Sequence, residues 1–271
     1  MSRYPLATIL FLLICALLWT ACTPLVTPEP PPILSAYKPK EDPNFVRLAN
    51  GTWEPYNGPD LPHNGCDSWV VKEAFAQEGI TVDYGYFPWV RSLNLSISGA
   101  WDGTLAWDDT PEVRKSHYLS AKPTTLQEWV FFYRKDHPLQ WNNMDDLTGK
   151  TIGLTTGYIY SDSFKELQAN GKATFIESSD DESNFRMLLA KRIDVFPIER
   201  LVGQYLIKTI FTAAEQAQIT NSPNPFAQFH TYLLLSKAEP QNEQRMRLFD
   251  RGFEFLQDSG RYAEIMRSCM P

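Results

Sequence analysis

Ile80-Thr81-Val82-Asp83-Tyr84-Gly85-Tyr86 alternates large apolar side chains with polar or small ones, and Pro88-Trp89-Val90-Arg91-Ser92-Leu93-Asn94-Leu95-Ser96-Ile97-Ser98-Gly99 follows it with apolar residues four apart. Alternation with a period of two is the pattern of a half-buried strand. Pro88 suits the first turn of a helix, Trp89, Leu93 and Ile97 share one face of it, and Gly99 stands where a C-terminal glycine belongs. The same grammar precedes this stretch. Phe45-Val46-Arg47-Leu48 reads as a strand leading into Trp53-Glu54-Pro55-Tyr56, and Asp67 is placed to cap a helix whose buried face is Trp69, Val70, Ala74 and Phe75 and whose end is marked by Gly79. Strand, helix, strand, helix predicts a parallel α/β sheet.

Working toward the C-terminus, Trp129-Val130-Phe131-Phe132-Tyr133 is a continuous apolar strand, and the character of the chain then changes from Lys135-Asp136-His137-Pro138 to Leu147. A second α/β unit begins at Lys150-Thr151-Ile152-Gly153-Leu154 and turns through Thr155-Thr156-Gly157. It continues through a helix near Ser161 to Gln168, a strand at Thr174-Phe175-Ile176, a helix near Glu182 to Lys191 and a strand at Ile193-Asp194-Val195-Phe196. Pro223-Asn224-Pro225 breaks the pattern again. Tyr232-Leu233-Leu234-Leu235 then reads as a buried strand, and Met246, Phe249, Phe253 and Leu256 recur at helical spacing. The chain is thus expected to build one lobe from residues 45–133 plus 230–271 and another from residues 134–229, with two crossing strands as a hinge. Ligands of such sheets bind beyond the carboxyl ends of the strands, so the two lobes would face each other across a cleft.

The first 21 residues combine a basic start with the apolar run Leu6-Ala7-Thr8-Ile9-Leu10-Phe11-Leu12-Leu13-Ile14, which has the form of an export signal. Leu18-Trp19-Thr20-Ala21-Cys22 resembles a bacterial lipobox, so Cys22 is either the acylated first residue of a membrane-anchored periplasmic lipoprotein or an ordinary thiol left after cleavage. Residues 22–44 are Pro-rich and read as a stiff tether. The remaining cysteines, Cys66 and Cys269, share an oxidising compartment and form either one disulfide or two free thiols. A net charge of −7 and a sequence pI of about 5.2, with no basic cluster, argue against a nucleic-acid partner. His63, His117, His137 and His230 lack metal-ligand spacing and no nucleophile elbow occurs, so neither a metal, nor another cofactor, nor catalysis is expected.

Four stretches taken together are similar to the extracellular solute-binding proteins of family 3, which serve ABC-type uptake of polar amino acids. They are Trp53-Glu54-Pro55-Tyr56; Pro88-Trp89-Val90-Arg91 through Gly99-Ala100-Trp101-Asp102-Gly103; Thr110-Pro111-Glu112-Val113-Arg114 through Ser120 and Pro123; and Asp146-Leu147-Thr148-Gly149-Lys150-Thr151-Ile152-Gly153 with Gly157. The resemblance implies a type II periplasmic-binding-protein fold, a monomer, an amino acid or related carboxylate as ligand, and an ABC permease as partner. A ligand-sensing or orphan lipoprotein of the same fold is the alternative, and an exported dehydratase-type enzyme a more remote one.

The resemblance also implies site residues. Arg114 would grip the ligand carboxylate through a bidentate fork, although Val113 intrudes between it and Glu112; its other reading is a surface residue paired with Glu112 or Asp109. Glu199 would either receive the ligand ammonium or cap the following helix. Trp53, Tyr56 and Trp107 are candidate aromatic walls, with Tyr158 and Tyr160 behind them, and Thr156 and Gly157 lie at a turn whose backbone amides suit an anionic group. Asp109 completes the candidate set.

Overall fold

The structure is a computed structural model that describes residues 42–158 and 160–269. The export signal, Cys22 and nearly all of the Pro-rich tether lie outside the described residues, among which no helix is long and apolar enough to cross a membrane. The strands are β1 (Phe45–Asn50), β2 (Thr81–Tyr86), β3 (Gly103–Trp107), β4 (His117–Leu119), β5 (Thr125–Arg134), β6 (Thr151–Thr155), β7 (Thr174–Ser178), β8 (Phe196–Glu199), β9 (Ile219–Asn221) and β10 (Ala227–Ser236). The helices are α1 (Cys66–Gln77), α2 (Trp89–Ile97), α3 (Pro111–Ser116), α4 (Asp162–Ala169), α5 (Asp181–Leu189), α6 (Arg200–Ile210), α7 (Ala213–Gln216), α8 (Asn242–Asp258) and α9 (Arg261–Ser268).

One sheet runs β2-β1-β3-β10-β5-β8, with β4 added beside β10 and β9 beside β5. Strands β1, β2 and β3 are parallel, as the alternating strands and helices require. The returning strand β10 joins β3 antiparallel, so the sheet is mixed rather than parallel throughout. Two long strands tie its halves together. Thr125–Trp129 of β5 pairs with Ala227–Thr231 of β10, after which β10 continues against β3 and β4 while β5 continues against β8 and β9. Strands β6 and β7 form a separate parallel pair linked through Ile152 to Val195. The strand expected at Ile193 to Phe196 therefore starts later, at Phe196, and only a single bridge at Val195 precedes it.

Each half has its own apolar core. Val46, Leu48, Val70, Phe75, Leu105, Leu235, Phe249 and Phe253 pack α1 and α8 against β1, β3 and β10. In the other half Val130 and Phe132 enter a core with Phe185, Phe196 and Ile198, whereas Phe131 points the opposite way to meet Leu147, Ile152, Phe164 and Val195. A strand buried on both faces has no reason to alternate, which explains the unbroken apolar run at Trp129 to Tyr133.

Two expectations are corrected. The inward face of α2 carries Ser92 and Ser96, not the Trp89-Leu93-Ile97 stripe; Ile97 is 43% and Val90 73% exposed. Small side chains let the helix lie close on the sheet, and the Trp89 indole fills the space a Cβ would need on Gly51. Asp67 does not cap α1. Gly65 holds that position, while Asp67 is fully buried in the first turn with neither carboxyl oxygen hydrogen-bonded. The nearby Thr124 hydroxyl eases the burial but is directed at the Thr231 carbonyl. Burial pushes the Asp67 carboxyl up to about 7.

A disulfide ties the start of α1 to the segment after α9. Cys66 is bonded to Cys269, 203 positions later in sequence, with their Cα atoms 5.9 Å apart. Closing so long a loop removes much of the unfolded chain's freedom.

Two predictions follow from burial and covalent closure. Because the Asp67 pKa is raised on folding, its contribution to stability is present below the unfolded value near 3.8 and is lost as pH rises through about 7. Asp67→Asn should melt higher than the parent at pH 8, with the difference shrinking as pH falls and closing only near pH 4 in scanning calorimetry, each kcal/mol being worth about 2–4 °C in a chain of this size. The double variant Cys66→Ser, Cys269→Ser should lose about 3–5 kcal/mol in denaturant titration.

Candidate functional site

The loop leaving β1 turns tightly, with the amides of Tyr56 and Asn57 both donating to the Trp53 carbonyl, at 2.9 Å each. This turn stacks Trp53 on Tyr56 with ring centroids 5.1 Å apart. Tyr56 is buried, and its hydroxyl donates to Glu199 Oε1 at 3.1 Å. Glu199 ends β8 and caps α6, its Oε2 accepting from the Val202 amide at 2.9 Å, while the Glu128 amide approaches Oε1 at 3.4 Å. The helix-capping reading of Glu199 holds, and the same side chain stands beside an aromatic loop from the other half of the sheet. Burial pushes its carboxyl up to about 7, and the three donors offset only part of that rise. Burial, and then repulsion from Glu199, drive the Tyr56 phenol well above its ordinary range, so it stays a donor.

Trp129 faces Glu199 across the β5–β8 ladder and Ala227 across β5–β10. Tyr158, Tyr160 and Phe229 present edges to it at 5.6, 5.7 and 6.1 Å. Its ring is 7% exposed, yet its indole N–H has no hydrogen-bond partner. Sequence reasoning missed Trp129 as a site residue because it lies inside an apolar strand that reads as core; its position at the crossing of the two long strands was the available signal. Asp181 stands in the first turn of α5. It accepts from Tyr158 Oη and Thr155 Oγ1, both at 2.6 Å, and burial raises its pKa despite those donors.

Three amides of the turn after β6 are engaged within the fold. The Thr155 amide donates to Tyr160 Oη, that of Thr156 to the Ser178 carbonyl, and that of Tyr158 to the Thr155 carbonyl. Thr156 and Gly157 instead line a cavity of about 400 Å³ walled by Tyr158, Tyr160 and Phe164.

At the end of β3, Ala106 adopts a left-handed φ of 65°, opposite a register shift between Tyr232 and Leu234 of β10. Trp107 follows, with its indole N–H donating to Thr104 Oγ1 at 2.9 Å and its ring edge-on to Trp89. Asp109 and Arg114 form a bidentate ion pair whose Arg side chain is 61% exposed, and Arg114 holds Asp109 below the usual carboxylate range. The structure therefore brings Trp53, Tyr56 and Glu199 together and places Trp107 against Trp89. Among the described residues Arg114 pairs with Asp109 rather than Glu199. Val113 is the buried residue of α3, and one further residue turns Arg114 about 100° away from it.

The described residues contain no group of three or more His, Cys, Asp or Glu able to hold a metal. Ser96 and His117 are in contact at 2.9 Å, but both are buried and the Ser96 hydroxyl donates to the Leu93 carbonyl, so the serine is an acceptor for the imidazole rather than a nucleophile facing it.

No protein-family model and no curated protein matches the chain. Solved structures do. An ancestral arginine-binding protein bound to arginine superposes with a TM-score of 0.65 at 16% identity, over 84% of this chain and 99% of that one. The chain has the type II periplasmic-binding-protein fold. Substrate-binding domain 2 of GlnP from Lactococcus lactis, in an open conformation, gives 0.63 at 18% identity over 86% and 97% of the two chains. A histidine kinase sensor domain similar to periplasmic binding proteins gives 0.65 at 17% identity over 83% and 96%.

Proposed function

We propose that this protein is a solute-binding protein that captures a small amino compound between its two lobes and performs no chemistry on it. The observation that carries the proposal is the Tyr56–Glu199 contact, in which a buried carboxyl at the end of one half's strand meets an aromatic loop from the other. A carboxyl pushed up to about 7 by burial gains most from a ligand ammonium, because attraction to a positive charge offsets the desolvation penalty on its charged form. Trp53, Tyr158 and Trp129 supply aromatic surface around that charge, which cations favour.

The fold shared with an arginine-binding protein and a GlnP substrate-binding domain supports this reading. Residues 45–133 plus 230–271 and residues 134–229 would move as two bodies about β5 and β10, closing over the ligand. With the export signal and Cys22, the protein would work as a periplasmic monomer tethered to a membrane and hand its ligand to an ABC permease. Sensing is the second reading, favoured by the similarity to a kinase sensor domain.

Isothermal titration calorimetry against amines, amino acids, small carboxylates and sugars tests the proposal. Binding should be confined to compounds with a cationic nitrogen, and Glu199→Gln should weaken it at least 30-fold, about 2 kcal/mol. Sugar binding, or unaltered affinity in Glu199→Gln, would remove the ammonium site.

A further inference from the structure

We propose that the ligand is an organic cation bearing a neutral oxygen acceptor, a hydroxyl or an amide, and no carboxylate. The inference rests on the reading of the Glu199 region as the ligand site and narrows the class of compound it takes.

The titratable groups around that region are mostly acidic. Glu199, Glu128 and Asp181 approach it from β8, β5 and α5, with Arg200 at the start of α6 as the cation beside them. The cations that could balance a ligand carboxylate are engaged. Arg200 donates from Nε to Glu128 Oε2 at 2.9 Å, and its two terminal nitrogens donate to the carbonyls of Ser222 and Pro223 at 3.3 and 2.9 Å. Arg114 closes its fork on Asp109 at the surface, and Val113 holds the inward position of α3 in its place. A carboxylate entering here would lose water, meet several acids and find no guanidinium free to take it.

A cation has the opposite experience. Trp53, Tyr56, Tyr158, Tyr160 and Trp129 offer ring faces and edges beside Glu199 and Asp181. One feature within this cluster asks for something more than charge. The Trp129 indole N–H is a buried donor without a partner, and such a group is costly unless something fills it. A hydroxyl or carbonyl oxygen on the cation supplies the missing acceptor with no second charge to bury.

Matched pairs decide the matter. In calorimetric titrations of the purified protein, choline should bind at least tenfold tighter than glycine betaine, or lysinamide tenfold tighter than lysine, and Arg114→Ala should change neither value. Trp129→Phe keeps the ring and removes the N–H. It should weaken choline or lysinamide binding about tenfold and leave tetramethylammonium, which has no oxygen, unaltered, whereas a merely structural loss would lower all of them together with the melting temperature. Tighter binding of the carboxylate member, abolished by Arg114→Ala, would overturn the inference and leave a solute-binding protein for amino acids. Failure of every cation to bind would overturn both the inference and the reading beneath it.

Discussion

The Glu199 carboxyl is held by the Tyr56 hydroxyl, the Val202 amide and the neighbouring Glu128 amide, in a place where 1% of the residue reaches solvent. A charge so enclosed is expensive unless its donors are complete or a counter-charge arrives. Three of the surrounding elements take their positions from this one group. Helix α6 begins on it, the Trp53–Tyr56 turn is anchored to it, and Trp129 stands across the ladder from it. The carboxyl is therefore both a structural cap and the most responsive group of the candidate site, since the burial that raises its pKa is what a bound cation would relieve.

The second constraint is the pair of long strands. Because β5 and β10 pair only between Thr125–Trp129 and Ala227–Thr231, each has a free run with which to build a different half of the sheet. The site residues lie on and around that short shared ladder. Trp129 is on it, Phe229 reaches Trp129 from β10, and Glu199 and Tyr158 approach from the far half while Tyr56 comes from the near one. Were the two halves to move about this ladder as proposed, a modest rearrangement there would change the distance between the two aromatic walls. The disulfide from Cys66 to Cys269 ties the last helix to the start of α1, on the half that carries the Tyr56 loop.

Much of the scaffold was legible because it obeys local rules. Alternation at Ile80 to Tyr86 marked β2, and Gly79, with φ of 71°, ends α1 where a left-handed residue is required. What failed did so where tertiary packing overrode a local pattern. The stripe Trp89-Leu93-Ile97 has helical spacing, but α2 lies so close on β1 and β3 that only Ser92 and Ser96 fit inward. Asp67 has the chemistry of a cap, yet the chain enters α1 through Gly65 and the acid is carried into the core. Of the candidate site, the resemblance offers Tyr56, Trp53 and Glu199, which the structure brings into contact, whereas Trp129 is not offered, because an orphaned indole N–H is a property of three-dimensional surroundings. Arg114 shows the reverse. Its residue type suggested a clamp, but one intervening Val changes its direction on α3 and hands it to Asp109.

The central claim is that Glu199 is a buried acid, its carboxyl pushed up to about 7, that a bound positive charge would hold as carboxylate, and carbon-detected NMR of the 13C-labelled glutamate carboxyls, assigned with Glu199→Gln, reads that state directly. In the free protein the Glu199 resonance should titrate at about 7, and with saturating cationic ligand its midpoint should fall below the ordinary glutamate range as the carboxylate is stabilised. A midpoint that begins in the ordinary range, or that does not move when ligand binds, would contradict the account.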